Sequence, residues 1–339
     1  MNTIKKAVSE LVRGRDLMPE VMRESMEEIM DGQAAPSQTG AFLALLASKG
    51  ETVEEITQGA LVMRARARRI EVEGPLLDTC STGGTGFSRF NISTAAAFVV
   101  AGAGIRVAKH GNRAVSGKCG SADILAELGA NIELEPGQVK ECIEKTGIGF
   151  LFAPVFHMAM KNAAGPRREL GIRTVFNILG PLTNPASATH QVLGVFDPDL
   201  TDVIARVLKN LGVRRAMVLH GSGLDEITLC GSTRVSELNN GSVRGYEVTP
   251  ENFNMSRRSP EEISGGDPKE NKRIFLEILQ GRSGPRRDIV LLNAAAGIFV
   301  VGKAASISEG IEMAASSIDS GRALEKLKKL IEFSRDPGR

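Results

Sequence analysis

Residues 78–123 constrain this chain most: they carry two glycine-rich turns, each leaving a short apolar run and each leading into a helix. The first leaves Pro75-Leu76-Leu77 and passes Ser81, Thr82, Gly83, Gly84 and Gly86 before a helix that opens near Asn91. The second leaves Ile105-Arg106-Val107-Ala108, read as a buried strand, and runs through Lys109, Gly111 and Asn112 to a helix beginning near Ser121. Glycine lets the backbone approach an anion closely, and a helix N-terminus offers unpaired N–H donors at the positive end of its dipole. Hydroxyls from Ser93 and Thr94 and the ammonium of Lys109 complete a cradle suited to a polyphosphate.

The remaining pattern sorts into a helical segment followed by an α/β segment. Over residues 1–70 amphipathic helices follow one another, with Ile4, Val8, Leu11 and Val12 on one face and Val21, Met22, Met26 and Ile29 on another. Ser37 is placed to cap Ala41–Ser48, which Gly50 ends, and Thr52 with Glu55 forms a capping box for Ile56–Arg68. From about residue 71, strands at 104–108, 148–152, 191–196 and 215–220 alternate with helices at 92–102, 121–128, 137–146, 200–211 and 269–280. Such alternation predicts an α/β fold, a mostly parallel central sheet flanked by helices, with a small all-helical N-terminal domain beside it. The domain division is expected at 1–70 and 71–339, with a segment near 160–185 joining the helical part. Asn239-Asn240-Gly241 reads as a hairpin turn, 249–268 as a surface loop, and the apolar run Ile289–Val301 as a buried core element too short to span a bilayer.

With 339 residues, 42% hydrophobic and 24% charged, the chain can bury a substantial core. A formal net charge of +2 gives no reason to expect nucleic acid as a partner. The basic clusters at Arg64–Arg69 and Arg286-Arg287 are read as solvated helix faces. Cys80, Cys119, Cys142 and Cys230 show no CxxC pairing and no histidine at metal-ligand spacing, so they are expected to be reduced thiols. No signal peptide or membrane-spanning run is evident, and a cytoplasmic location is expected.

Two phosphate motifs are excluded. Gly84-Thr85-Gly86 begins like a dinucleotide fingerprint, but Arg89 takes the third glycine position; Gly111 to Gly117-Lys118 resembles a P-loop, one residue too long and with Cys119 in place of Ser/Thr. Leu224-Asp225-Glu226 follows the apolar strand Ala216–Leu219 and the turn His220-Gly221-Ser222-Gly223. Such a dipeptide is ordinarily a solvated pair; beside a phosphate cradle its hard oxygens suit Mg²⁺, which binds through one or two carboxylates plus substrate phosphates. Arg167 and Arg168, at the expected start of a helix after Pro166, could clamp a carboxylate or simply pair with Glu169. His157 follows an apolar strand, where a core or loop histidine is the commoner reading. None of the four histidines has an adjacent nucleophile of hydrolase type. Asn177 to Pro185 reads as a rigid connection.

Assembled in this order and spacing, these residues resemble the anthranilate phosphoribosyltransferase family over nearly the whole chain. The likeness runs through the Thr-Gly-Gly turn with Asn91-Ile92-Ser93-Thr94, then Lys109-His110-Gly111-Asn112-Arg113 and Gly120-Ser121-Ala122-Asp123. It continues in Phe150 to Pro154 with His157, Arg167-Arg168-Glu169-Leu170-Gly171, and Leu224-Asp225-Glu226. The resemblance implies a homodimer related in fold to pyrimidine nucleoside phosphorylases, and a magnesium-dependent transferase of tryptophan biosynthesis. Phosphoribosyl pyrophosphate would be held by Ser81, Gly83, Gly84, Thr85, Arg89, Asn91, Ile92, Ser93, Thr94, Lys109, His110, Gly111, Asn112, Arg113, Ser116, Gly117 and Ser121. Anthranilate would meet Ser81, Asn112, His157 and Arg167, and two Mg²⁺ ions per subunit would be held by Ser93, Asp225 and Glu226. Transition-state stabilisation would fall to Lys109 and the metal, with no classical acid or base.

The chain departs from the family's usual pattern at four places. Ser81 and Thr85 stand where Gly and Asp are common, Arg89 where Thr or Ser is usual, and Gly117 where a second Ser is frequent. These changes bear on the ribose and pyrophosphate contacts and on metal demand, and leave Asn112, Arg167 and the acidic pair untouched. Two other functions compete: a nucleoside phosphorylase of the same fold, whose second turn carries Ser and Arg in place of His-Gly-Asn, and a non-catalytic nucleic-acid-binding relative. Lys109–Arg113 argues against the first, although Ser81-Thr-Gly-Gly before a non-acidic residue leans towards it; low net charge and the Asp225-Glu226 pair argue against the second.

Overall fold

The structure, a computed structural model, describes residues 2–84, 89–114 and 117–337. Four helices come first: α1 (Thr3–Val12), α2 (Pro19–Met30), α3 (Pro36–Lys49) and α4 (Val53–Arg66). In α1 the buried stripe is Ile4, Ala7 and Leu11, while Val12, expected on that face, is 66% exposed. The other stripe, Val21, Met22, Met26 and Ile29, is buried as the periodicity requires. Helix α3 starts five residues before the expected Ala41. Pro36 supplies a fixed φ at its first position and the Gln38 side chain accepts the Ala35 N–H at 3.0 Å, so Ser37 lies inside the helix. The Thr52–Glu55 capping box forms, with N–H to side-chain distances of 2.8 and 3.2 Å.

The α/β part runs β1 (Leu77–Ser81), α5 (Ile92–Gly102), β2 (Val107–Gly111), α6 (Ser121–Leu128), α7 (Pro136–Thr146), β3 (Ile148–Phe152), then the short α8 (Ala153–Phe156), α9 (Lys161–Leu170) and α10 (Phe176–Leu179). It continues β4 (His190–Gly194), α11 (Leu200–Asn210), β5 (Arg215–Gly221), β6 (Thr233–Asn239), β7 (Ser242–Val248), α12 (Pro268–Leu279), α13 (Pro285–Val300), α14 (Ile307–Asp319) and α15 (Arg322–Arg335). The described strands form one sheet in the order β3-β2-β1-β4-β5-β6-β7, parallel from β3 to β5 and antiparallel beyond. Asn240-Gly241 makes the β6–β7 hairpin with φ of 47° and 87°, as the turn chemistry demands. Alternation along β5 divides the interior in two: Met217 and Leu219 face the core built with α5 and α13, and Ala216 and Val218 face the core shared with α11 and the N-terminal helices.

Strand β2 is shifted three residues from the expected 104–108. Its parallel ladder to β3 continues to Gly111↔Phe152, which keeps Lys109 and His110 on the strand and buried, so the second turn begins only at Asn112. Arg167 and Arg168 are in the last turn of α9, not at a helix start. Pro166 sits inside that helix, whose backbone is held by packing on α2 and α3 and ended by Gly171 at φ 62°. Nor is the Arg64–Arg69 cluster a freely solvated face. Arg64 reaches the Leu182 and Leu211 carbonyls at 2.8 and 3.0 Å, Arg66 forks onto Asp31, and Arg68 meets Glu135. Arg287 likewise binds Asp319 and the Gly281 carbonyl. Loop 249–268 contains two 3-10 turns, Pro250–Phe253 and Pro260–Ile263. The run Ile289–Val301 lies in the buried α13, and no helix among the described residues is long and apolar enough to cross a membrane. All four cysteines are free.

One glycine fixes how the sheet meets the loop after β5. A Cβ on Gly194, at the end of β4, would fall 1.6 Å from the Asp225 carbonyl oxygen, a backbone atom that cannot swing aside. Gly194→Ala is therefore expected to cost about 2–3 kcal/mol or more of stability. Chemical denaturation checks this, and a wild-type midpoint would contradict the packing.

Candidate active site

The chain leaves β1 towards β2 and β3 on one side and returns through β4 and β5 on the other, so the order reverses between β1 and β4. In parallel sheets the crevice beyond the strand C-termini at such a point is where ligands bind. The register, Ser81↔Gly194 and Leu77↔Val107, brings the ends of β1, β2 and β4 level, and both glycine turns open at that edge. The Thr82 N–H donates to the Gly194 carbonyl at 2.9 Å, and the Thr82 hydroxyl accepts the Phe196 N–H at 3.0 Å. Gly83 and Gly84 follow at φ 67° and 79°, a region that disfavours any side chain.

The acidic pair is folded into this turn and is not a solvated surface feature. Asp225 is fully buried and Glu226 5% exposed. Asp225 accepts the Gly83 N–H at 2.9 Å through one oxygen and the Arg89 guanidinium through the other. Glu226 accepts the backbone N–H of Ser93 in the first turn of α5. Two carboxylates thus hold the two backbone donors that the sequence assigns to an anion cradle. Burial pushes the Glu226 carboxyl up to about 7, against the opposing pull of Arg89, Lys109 and the Ser93 N–H. Asp78, also fully buried, is raised to about 6 by burial despite Lys109, the Asn184 amide and the His110 N–H beside it.

The Lys109 ammonium is buried and donates to the Thr79 carbonyl on the neighbouring strand; burial lowers its pKa while Asp78, Cys80 and Glu226 oppose that. The Thr79 hydroxyl bonds the Ser93 carbonyl at 3.0 Å, and Thr94 is buried behind it. Asn91, at the N-terminus of α5, donates to the Cys119 carbonyl at 3.0 Å, which ties the first turn to the loop before α6. In the second turn the Asn112 carbonyl accepts the Ala122 N–H at 3.1 Å and the Ser121 hydroxyl at 3.3 Å. Arg113 pairs with Asp123, which also accepts the Ala114 and Gly120 N–H groups, each at 2.9 Å. Gly117 is exposed, and Thr85, Gly86 and Ser116 lie outside the described residues.

His110 and His157 stack with ring centroids 5.1 Å apart, both buried, and the Nε2 of each has no hydrogen-bond partner among the described residues. Burial lowers both, His157 to about 4 and His110 well below its ordinary value, the latter also repelled by His157. Arg167 is half-buried with its guanidinium over the Phe176 ring at 5.1 Å, and among the described residues no ion pair joins it or Arg168 to Glu169. Among the described residues no hydrogen bond or ion pair ties Arg167 to either turn. Three supporting residues escaped the sequence reading. Arg173 bonds the Gly84 carbonyl and lies 4.2 Å over Phe196; Asn184 donates to Asp78 and to the Ala108 carbonyl, both at 2.8 Å; and Asp78 accepts the Asn184 amide through one oxygen and the His110 N–H through the other.

Residues 73–324 match the a/b domain of a glycosyl transferase family, and residues 5–67 match the helical bundle domain of the same family. The fold and the crevice are therefore those of a two-part glycosyl transferase. The anthranilate phosphoribosyltransferase of Acetivibrio thermocellus is 56% identical over 333 residues, covering 98% of this chain and 96% of that one. The crystal structure of the anthranilate phosphoribosyltransferase of Thermus thermophilus, 44% identical, superposes with a TM-score of 0.93 over 99% of this chain and 100% of that one. The Saccharomyces cerevisiae enzyme, solved in complex with PRPP and Mg, is 27% identical with a TM-score of 0.91, covering 98% of each chain. This chain belongs to the anthranilate phosphoribosyltransferases.

His157 supplies a pH test. Its folded pKa of about 4 lies below the ordinary 6.5, so the folded protein binds fewer protons than the unfolded chain between those values. Stability is complete above pH 6.5 and is lost as pH falls towards 4. Between pH 7 and 4.5 the wild type is expected to lose about 2 kcal/mol more than His157→Gln. Denaturant titrations at the two pH values measure this; parallel losses would show that the ring is not held neutral by burial.

Proposed function

We propose that the crevice between β1 and β4 transfers the 5-phosphoribosyl group from phosphoribosyl pyrophosphate to anthranilate, giving N-(5-phosphoribosyl)anthranilate and pyrophosphate, a step of tryptophan biosynthesis. The observation that carries this reading is the convergence of both glycine turns and the Asp225-Glu226 pair on one sheet end. The phosphates and ribose are assigned to the first turn, the start of α5, and Asn112 with the loop to Ser121. Anthranilate is assigned to Ser81, Asn112, His157 and Arg167. The protein acts as a homodimer, with 1–70 and the segment near 160–185 forming the helical unit.

The donor set fits magnesium. Two adjacent buried carboxylates and the Ser93 hydroxyl are hard oxygen ligands of the kind Mg²⁺ takes. Among the described residues no cluster of three or more His, Cys, Asp or Glu exists, so the remaining ligands would come from substrate phosphates and water. Two ions per subunit are assigned to Ser93, Asp225 and Glu226. When bound, the metal neutralises charge that develops on the departing pyrophosphate.

The aromatic amine of anthranilate is neutral at pH 7, so no base is needed to create the nucleophile. Lys109 and the backbone donors of the turns oppose the negative charge of the leaving group, while Arg167 orients the anthranilate carboxylate through a forked hydrogen bond. Alignment of the two substrates by these groups can remove on the order of 7–11 kcal/mol from the barrier.

Loss of anthranilate fluorescence in the presence of phosphoribosyl pyrophosphate and Mg²⁺ tests the reaction directly, and no loss would reject it. Arg167→Ala is expected to raise the KM for anthranilate on the order of tenfold with a smaller effect on kcat. An unchanged KM and turnover would remove Arg167 from the site. The double variant Asp225→Asn with Glu226→Gln should lose magnesium-dependent activity, and full activity at low magnesium would reject the metal assignment.

A further inference from the structure

Adjacent buried carboxylates need compensating charge, and in this fold Asp225 obtains it from inside the chain. One oxygen takes the Gly83 N–H at 2.9 Å and the other takes the Arg89 guanidinium, so each is already engaged. Arg89 is only 15% exposed in its side chain and is anchored from behind: its backbone bridges Ser264, and a Cβ on Gly265 would meet the Arg89 carbonyl carbon at 2.5 Å. The other buried cation nearby, Lys109, is held on the Thr79 carbonyl. A metal ion seeking Asp225 therefore meets an oxygen already engaged by a positive charge.

We propose that Arg89 is an internal counter-ion that occupies Asp225 in the substrate-free protein and that a divalent cation must displace it to bind. The proposal rests on the cation role of Asp225 and Glu226 argued above. Because ion and guanidinium compete for one carboxylate, the apparent affinity for the ion is reduced by the stability of the ion pair. Removing the guanidinium leaves Asp225 buried beside Glu226 without its partner, a strain that an incoming cation relieves.

The test is calorimetric titration of Mg²⁺ alone, and Mn²⁺ followed by its spin resonance, into the substrate-free full-length protein. Arg89→Met is expected to bind either ion about tenfold more tightly than wild type, the usual scale of coupling between two sites. Arg89→Lys, which keeps a positive charge on a shorter side chain, is expected to tighten binding by less. Adding Asp225→Asn to Arg89→Met should abolish the gain. Equal or weaker affinity in Arg89→Met overturns the proposal, as does the absence of measurable binding to both wild type and variant. If Arg89→Met does not fold, unchanged affinity in Arg89→Lys overturns it equally. If Asp225→Asn weakens the ion in wild type while Arg89 substitutions change nothing, the competition fails and the cation site stands. If Asp225→Asn has no effect in either background, the cation site itself fails.

Discussion

Two buried carboxylates accepting backbone N–H groups hold this crevice together. Asp225 takes the Gly83 N–H and Glu226 takes that of Ser93, so the loop after β5 is bonded at once to the turn after β1 and to the first turn of α5. Each bond satisfies a donor that would otherwise lie unpaired, and a charged acceptor makes it stronger than an amide pair. Asp225 is reached only because β4 ends in a residue without a side chain, which lets its carbonyl lie against the strand. The topology does the rest, since the reversal of strand order leaves room between β1 and β4 where these segments meet.

The helical part is coupled to the α/β part by arginines, not by apolar contact alone. Arg64 on α4 spans to the Leu182 and Leu211 carbonyls, and its burial lowers its pKa to about 10. Arg173, just past α9, binds the Gly84 carbonyl within the first turn. Guanidinium groups suit this work because several donors on one planar head can reach carbonyls on separate segments.

Elements with a clean period were legible in the sequence: α5 and α6 and strand β3 fall where their patterns put them, and the Asn240-Gly241 hairpin follows from two residues that tolerate positive φ. What escaped was polar residues inside regular structure. β1 contains Asp78 and Ser81 and β2 ends in Lys109 and His110, a composition that reads as loop until the parallel ladder supplies the hydrogen bonds. Pro166 misplaced α9 for a similar reason, since tertiary packing outweighed a residue that ordinarily starts a helix. The site was legible as a list of turns and acids, but the Arg89–Asp225 pair and the reach of Arg173 and Asn184 join residues 76 to 136 positions apart. No local pattern encodes such contacts.

That an anion cradle should be lined with carboxylates is less contradictory than it looks. Glycine turns and a helix N-terminus left with bare donors would have to be held against collapse by water alone, at the entropic expense of ordering them when a ligand arrives. Asp225 and Glu226 take up two of those donors in advance, so the turns are already shaped. The negative charge this introduces repels a pyrophosphate unless a cation lies between them, which makes the anion's binding conditional on positive charge at the acids. Arg89 supplies one such charge from within the chain, paired with Asp225. Shape and charge are thereby separated: the backbone geometry is fixed by carboxylates, and the sign of the local field is set by whichever cation those carboxylates hold.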